Sequence, residues 1–162
     1  MRTAIVFYSM SGNTSYAAEL AANALGGELI PIDPQKAYPD KGFRRVFVGG
    51  RDAVMGRTPP LLPYSFDAEK YDLVVIASPV WASRPAPPIR TFITENREAL
   101  KNKRIAVILT SMGGGNPKAA ATIAALAGQA KPEAYVELIS PKDRPDERNE
   151  AKLKAFIDAL KN

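Results

Sequence analysis

The chain has 162 residues, of which 46% are apolar, a size that suits one well-filled core and is short for two domains. It contains neither Cys nor His, which excludes thiolate nucleophiles, disulfides, Ser-His-Asp triads and ordinary zinc sites. A net charge of +5 without a concentrated Lys/Arg run gives little support for a nucleic-acid partner. We therefore expect one domain over residues 1–162, no metal site, and chemistry that depends on a bound cofactor.

The N-terminus shows no basic leader, and no apolar run approaches the length of a membrane span. These features predict a cytoplasmic protein that has no membrane partner.

Strand-like and helix-like patterns alternate along the chain. In order, the sequence predicts a strand over residues 3–9, a helix around 17–24, a strand over 28–33, a helix over 43–55, a strand over 71–78, a helix over 89–100, a strand over 104–110, a helix around 123–127, a strand over 134–140 and a helix around 153–160. Several of these strands are apolar on successive residues, as strands covered on both faces are.

Local signals agree with these boundaries. Gly26 and Gly128 are suited to ending helices, Pro87 suits a first helical turn, and Asp146 precedes the last amphipathic run. Residues 34–63 are the least regular part, and the helix predicted there contains two adjacent glycines. The pattern indicates a doubly wound α/β fold with a five-stranded parallel sheet and helices on both faces, whose ligands bind at the carboxyl ends of the strands.

The loop after the first strand is rich in hydroxyl and amide groups and contains one glycine. Its residues are Ser9, Met10, Ser11, Gly12, Asn13, Thr14 and Ser15. Because these donors stand where the first helix begins, they predict an anion-binding cradle. The loop has neither the second glycine and lysine of a nucleoside triphosphate loop nor a G-x-G-x-x-G pattern. Neutral donors without a lysine suit a terminal phosphate monoester that is bound without a full counter-charge.

The segment Ile5-Val-Phe-Tyr-Ser-Met-Ser-Gly-Asn-Thr14 closely resembles the phosphate-binding signature of the flavodoxin family. The resemblance implies FMN as cofactor, a short-chain member of the family, and the strand order 2-1-3-4-5. It also implies that flavin is contacted by the loops after strands three and four, at Pro79, Val80, Trp81, Ala82, Ser111, Met112, Gly113 and Gly114. An ordinary polar helix cap, a Trp81 that plugs the core or a subunit contact, and a flexible glycine turn are the alternatives that need no cofactor.

Some features depart from the resembled family. Carrier flavodoxins are usually acidic, whereas this chain is basic, and Met112 stands where a second stacking aromatic is common. The stretch Val80-Trp-Ala-Ser-Arg84 contains no glycine, so a left-handed residue there would cost roughly 1 to 2 kcal/mol.

Other functions on this architecture lack their key residues. Response regulators need an acidic residue where Ala77-Ser78 stands, low-molecular-weight tyrosine phosphatases need a Cys, and a serine hydrolase needs a base.

Two functions remain: an electron carrier that works with redox partner proteins, and an NAD(P)H-dependent FMN reductase that acts on quinones or similar acceptors. The basic cluster Arg44, Arg45, Arg51 and Arg57 favours the reductase if it binds a nucleotide phosphate, and is otherwise a solvated surface. We favour the carrier, as a monomer or weak homodimer, and assign no catalytic side chain.

Overall fold

A parallel β-sheet forms the centre of the molecule. The computed structural model describes residues 1–162 and contains the strands β1 (Thr3–Phe7), β2 (Glu28–Pro31), β3 (Leu73–Trp81), β4 (Arg84–Pro85), β5 (Arg104–Ser111) and β6 (Ala134–Ile139). The order is β2-β1-β3-β5-β6, and β4 pairs antiparallel with β3. The predicted doubly wound order of five parallel strands is therefore confirmed, while the short sixth strand was not predicted.

Six α-helices and a single 3-10 turn (Ala68–Lys70) connect or follow the strands. The helices are α1 (Asn13–Leu25), α2 (Gly42–Val54), α3 (Pro87–Glu95), α4 (Arg97–Leu100), α5 (Pro117–Leu126) and α6 (Glu147–Lys161). The single helix predicted over 89–100 is wrong, because Asn96 interrupts it and donates its side-chain amide to the Phe92 carbonyl at 2.8 Å. None of the six reaches the length and apolar character that crossing a bilayer requires.

The sheet is buried on both faces, which explains its continuous apolar strands. Helices α1 and α6 cover one face, where they pack on Leu73, Val75 and Ala77 of β3. Helices α3 and α5 cover the other face and pack on Val74 and Ile76. Each large apolar side chain buried in these two cores contributes roughly 1.5 to 3 kcal/mol. This double core holds the carboxyl ends of the strands in place.

Strand β3 continues three residues beyond its predicted end at Ser78. The extension forms a hairpin with β4, in which Val80 pairs with Pro85 and Trp81 with Arg84. The two turn residues, Ala82 (φ 49°) and Ser83 (φ 63°), adopt the left-handed conformation that a two-residue hairpin turn of type I′ requires. For a residue with a side chain, the left-handed conformation costs about 1 to 2 kcal/mol relative to the right-handed one, so this turn stores strain.

Candidate functional site

A cavity of about 470 Å³ opens at the carboxyl ends of β3 and β5. Its walls come from the loop after β1, helix α2, the end of β3, the loop after β5 and the residue that follows β6. The lining residues are Ser11, Asn13, Gly42, Arg45, Val46, Gly50, Pro79, Val80, Trp81, Ala82, Thr110, Ser111, Met112 and Ser140. Eight of the predicted site residues, Ser11, Asn13, Pro79, Val80, Trp81, Ala82, Ser111 and Met112, are thus brought together where doubly wound sheets bind ligands.

A second depression of about 570 Å³ lies between β6 and α6, at the edge of the sheet. Most of its lining is apolar, with side chains such as Tyr135 and Phe156. The cavity at the strand ends is the better candidate site, because it combines polar groups from several loops that converge on one point.

The loop after β1 presents a run of unpaired backbone N–H groups. We define residues 9–15 as the cradle. The N–H groups of residues 10–14 donate to no protein acceptor, and Gly12, at φ 91°, turns the chain into α1. The Ser9 hydroxyl oxygen accepts from the Ser15 N–H at 3.1 Å, and the Ser15 hydroxyl donates to the Gly12 carbonyl at 3.0 Å. Unpaired N–H groups at the positive end of a helix form a site that attracts anions.

Asn13 ties the cradle to the loop that follows β6. Its side-chain oxygen accepts from the N–H groups of Lys142 at 2.9 Å and Asp143 at 3.2 Å. Its side-chain amide donates to the Asp143 carboxylate at 2.8 Å and to the Ser11 hydroxyl at 3.2 Å. The side chain of Asn13 is therefore engaged at both ends, and it positions two loops against each other.

Thr14 anchors the cradle to the sheet. Its hydroxyl lies 2.7 Å from that of Thr110 at the end of β5, and both side chains are buried. This bond links the first turn of α1 to the strand that carries the third loop of the site.

Trp81 lies in the wall of the cavity and packs against two tyrosines and a helix. Its ring meets Tyr8 edge-on at a centroid distance of 5.7 Å and Tyr38 at 5.1 Å, and it contacts Gly49 of α2. Burial, followed by the Asp33 carboxylate, raises the pKa of Tyr8 to about 12, so this neighbour stays uncharged. The indole is partly buried, so it serves both as a wall of the cavity and as a core contact.

The loop after β5 is organised by Glu137 of β6. Its carboxylate accepts from the Ser111 hydroxyl at 2.7 Å and from the Asn116 N–H at 2.9 Å. The Ser111 hydroxyl oxygen in turn accepts from the Gly114 N–H at 2.9 Å. Gly113 and Gly114, which were predicted as site residues, lie outside the lining of the cavity, and the Gly114 N–H already has a partner.

The basic cluster divides into parts with different surroundings. Arg45 lines the cavity, Arg51 forms an ion pair with Asp52 at 3.1 Å, and Arg44 and Arg57 are exposed. Only Arg45 therefore adds positive charge to the lining of the cavity. No group of three or more His, Cys, Asp or Glu side chains is arranged to hold a metal ion.

A lysine from another loop lies beside the cradle. The cradle itself contains no lysine, but Lys142 reaches Gly12 from the loop after β6. Lys142 and Ser140, which lines the cavity, are missing from the predicted site because only the loops after strands one, three and four were considered. The parallel strand order predicts that the loop after the fifth parallel strand also lies near the site, since the carboxyl ends of all parallel strands lie at one edge of the sheet.

Comparison with known proteins tests the resemblance. A family model described as a flavodoxin domain matches residues 60–146, more than half of the chain. The chain belongs to this flavodoxin family. Since the match lies outside the signature at residues 5–14, separate parts of the chain indicate the same family, and the predicted membership is confirmed. No curated protein was found to match the chain.

Solved structures agree with the family. A flavoprotein from Lactobacillus acidophilus NCFM, in complex with FMN, is 26% identical, with a TM-score of 0.71 over 88% of this flavodoxin-family chain and 96% of that protein. A protein from Bacteroides eggerthii, provisionally named a flavoprotein, is 26% identical, with a TM-score of 0.76 over 99% of this chain and 98% of that protein. A flavodoxin from Streptococcus pneumoniae TIGR4 is 17% identical and shares the fold, with a TM-score of 0.57 over 99% of this chain and 98% of that protein.

Proposed function

We propose that this chain binds FMN and acts as a flavodoxin-type electron carrier. The proposal rests on two adjoining features: a cradle with five unpaired N–H groups, and a cavity whose wall contains the single Trp of the chain. The FMN complex of the relative from Lactobacillus acidophilus supports the choice of flavin.

The residues present fit the parts of FMN. The cradle offers neutral donors to a phosphate, while Pro79, Val80 and Trp81 offer apolar surface to a flat ring system. When bound, FMN supplies the reversible uptake and release of electrons. The role of the chain is to bind this group, to orient it through Trp81, and to keep water from the covered face of the ring.

The surface around the cavity favours a carrier over a reductase. Five large apolar side chains are more than half exposed near its mouth or on the adjoining helix α2: Phe43, Val46, Phe47, Val54 and Met112. Exposed apolar surface of this kind suits a short-lived contact with a redox partner protein. Arg45 is the observation that favours the alternative, because a guanidinium in the lining could bind a phosphate of NAD(P)H.

Titration with FMN and riboflavin tests the cofactor proposal. Riboflavin lacks the phosphate, so it should bind at least 100-fold more weakly, since several charge-assisted hydrogen bonds worth about 1.5 to 3 kcal/mol each are lost. Equal dissociation constants would contradict the assignment of the cradle to phosphate.

Mixing the FMN-loaded protein anaerobically with NADPH or NADH tests the choice between the two functions. For a carrier, the absorbance of the oxidised flavin should persist for minutes. Loss of that absorbance within seconds, slowed by Arg45→Gln, would support the reductase instead.

A further inference from the structure

We propose that Lys142 supplies the positive charge of the cradle and thereby sets the preference for a flavin phosphate over an uncharged flavin. This inference rests on the proposed binding of FMN. A phosphate monoester carries a charge of about −1.5 to −2 at pH 7, whereas residues 9–15 contain no charged side chain. Hydrogen bonds from neutral donors satisfy its oxygen atoms but leave its charge uncompensated.

The backbone after β6 brings Lys142 to the cradle. Ser140 has φ 41° and donates its N–H to the Ser111 carbonyl at 2.9 Å, which turns the chain back over the site. The Lys142 N–H then donates to the Asn13 side-chain oxygen at 2.9 Å. The root of the lysine side chain is thus held by a buried residue of the cradle, although the two positions are 129 residues apart.

The lysine side chain itself lies along Gly12. A Cβ atom added to Gly12 would be 2.8 Å from the Lys142 Nζ, 3.4 Å from Cδ and 3.6 Å from Cε. The ammonium group therefore lies within a few ångströms of the middle of the cradle. The φ of 91° at Gly12 disfavours a side chain, whereas the flexible end of the lysine could move aside for one.

Lys142 is exposed to solvent. Lys142 forms none of the six ion pairs in the structure. The adjacent Asp143 directs a carboxylate oxygen to the Asn13 amide at 2.8 Å. An exposed ammonium beside a run of unpaired N–H groups is the arrangement expected for a partner of an anion that carries more than one charge.

The variant Lys142→Gln tests the role of the charge while keeping most of the side-chain length. Lys131→Gln is the matched control, since Lys131 is exposed and precedes β6 at the opposite end of that strand. Dissociation constants for FMN and for riboflavin are measured by fluorescence titration for the wild-type protein, for both variants and for Lys142→Arg.

Loss of one charge-assisted contact corresponds to roughly a 10- to 100-fold loss in affinity. We expect that loss for FMN with Lys142→Gln, no change for riboflavin with any variant, and near wild-type values for Lys131→Gln and Lys142→Arg. The affinity of the wild-type protein for FMN should also fall more steeply with added KCl than that of Lys142→Gln, because salt screens an exposed charge.

The outcomes separate the two proposals. If the wild-type protein prefers FMN to riboflavin and Lys142→Gln keeps that preference in full, the role of Lys142 is overturned and the proposed cofactor stands. If the wild-type protein binds neither flavin, both proposals are overturned. If it binds both flavins equally, the role of Lys142 and the assignment of the cradle to phosphate are overturned, while FMN binding stands. A parallel loss of FMN and riboflavin affinity in Lys142→Gln would show a structural effect and would also overturn the role of the charge.

Discussion

Two neighbouring glycines of α2 provide a test of how Trp81 is seated. A Cβ added to Gly49 would lie 3.0 Å from the Trp81 Cε3 and 3.1 Å from its Cζ3. A Cβ added to Gly50 would meet only the Cβ of Ala82, at 3.9 Å, which is ordinary van der Waals contact. Replacement of either glycine by alanine brings the same gain in helix propensity, about 1 kcal/mol, so the pair isolates the contact with the indole.

The indole has little room to yield, because Tyr8 and Tyr38 pack edge-on against it at 5.7 and 5.1 Å. Overpacking of a well-filled site costs about 1 to 3 kcal/mol. We therefore expect Gly50→Ala to raise the free energy of unfolding by about 1 kcal/mol. Gly49→Ala should lie about 1 to 3 kcal/mol below Gly50→Ala, between unchanged and about 2 kcal/mol less stable than the wild type.

Urea unfolding followed by far-UV circular dichroism measures these free energies. Because Trp81 is the only Trp of the chain, its fluorescence and the Trp bands of the near-UV circular dichroism spectrum report on this site. Gly49→Ala should alter both spectra, and Gly50→Ala should leave them close to wild type. Equal stabilisation by the two substitutions, with unchanged Trp spectra, would refute the packing of Trp81 on Gly49.

Three further predictions concern the loops of the site. Thr14→Val and Thr110→Val should each lower the free energy of unfolding in urea by about 1 to 3 kcal/mol, because a buried hydroxyl loses its partner. The double variant should lose less than the sum of the two single losses. Strict additivity would show that the hydroxyls do not pair. Burial raises the pKa of Glu137, but hydrogen bonds from Asn116 outweigh it and hold the pKa below its usual value. The stability that this carboxylate contributes is present above its unfolded-state pKa of about 4.3 and is lost as the pH falls through the lower folded value. The stability difference between wild type and Glu137→Gln should therefore shrink in acid. A difference that does not vary with pH would contradict this. Ser83→Gly should stabilise the fold by up to about 1 kcal/mol in the same unfolding assay by relieving its left-handed strain, whereas Ser83→Ala should not, and equal stabilities of the two would argue against the strain.

The elements that follow from local chemistry could be predicted from the sequence. Asp146 accepts from the Arg148 N–H at 2.8 Å as an N-cap, and Gly26 ends α1 in the left-handed conformation. The helix predicted over 43–55 is confirmed as α2. These features depend on residues a few positions apart, which the sequence displays directly.

The hairpin of β3 and β4 could not be predicted in the same way. Its turn, Ala82-Ser83, lacks the Asn-Gly or Gly-containing signals that usually mark a two-residue hairpin. Pro79 follows the predicted end of the strand, yet it remains in register with Thr110 of β5. Lys142 was missed for a similar reason, since its approach to Gly12 depends on the tertiary contact between the β6 loop and Asn13.

The distribution of left-handed residues links stability to the site. Every residue with positive φ that is not glycine, namely Ala82, Ser83 and Ser140, lies in a loop that borders the cavity. Together they cost about 3 to 6 kcal/mol, a large share of the roughly 5 to 15 kcal/mol that stabilises a typical domain. Such strain persists only where the surrounding structure determines it, and here the double core of the sheet holds both loop roots. Relief of the strain at Ala82 or Ser140 should therefore stabilise the fold while loosening the walls of the cavity, so stability and ligand affinity are expected to change in opposite directions at these positions.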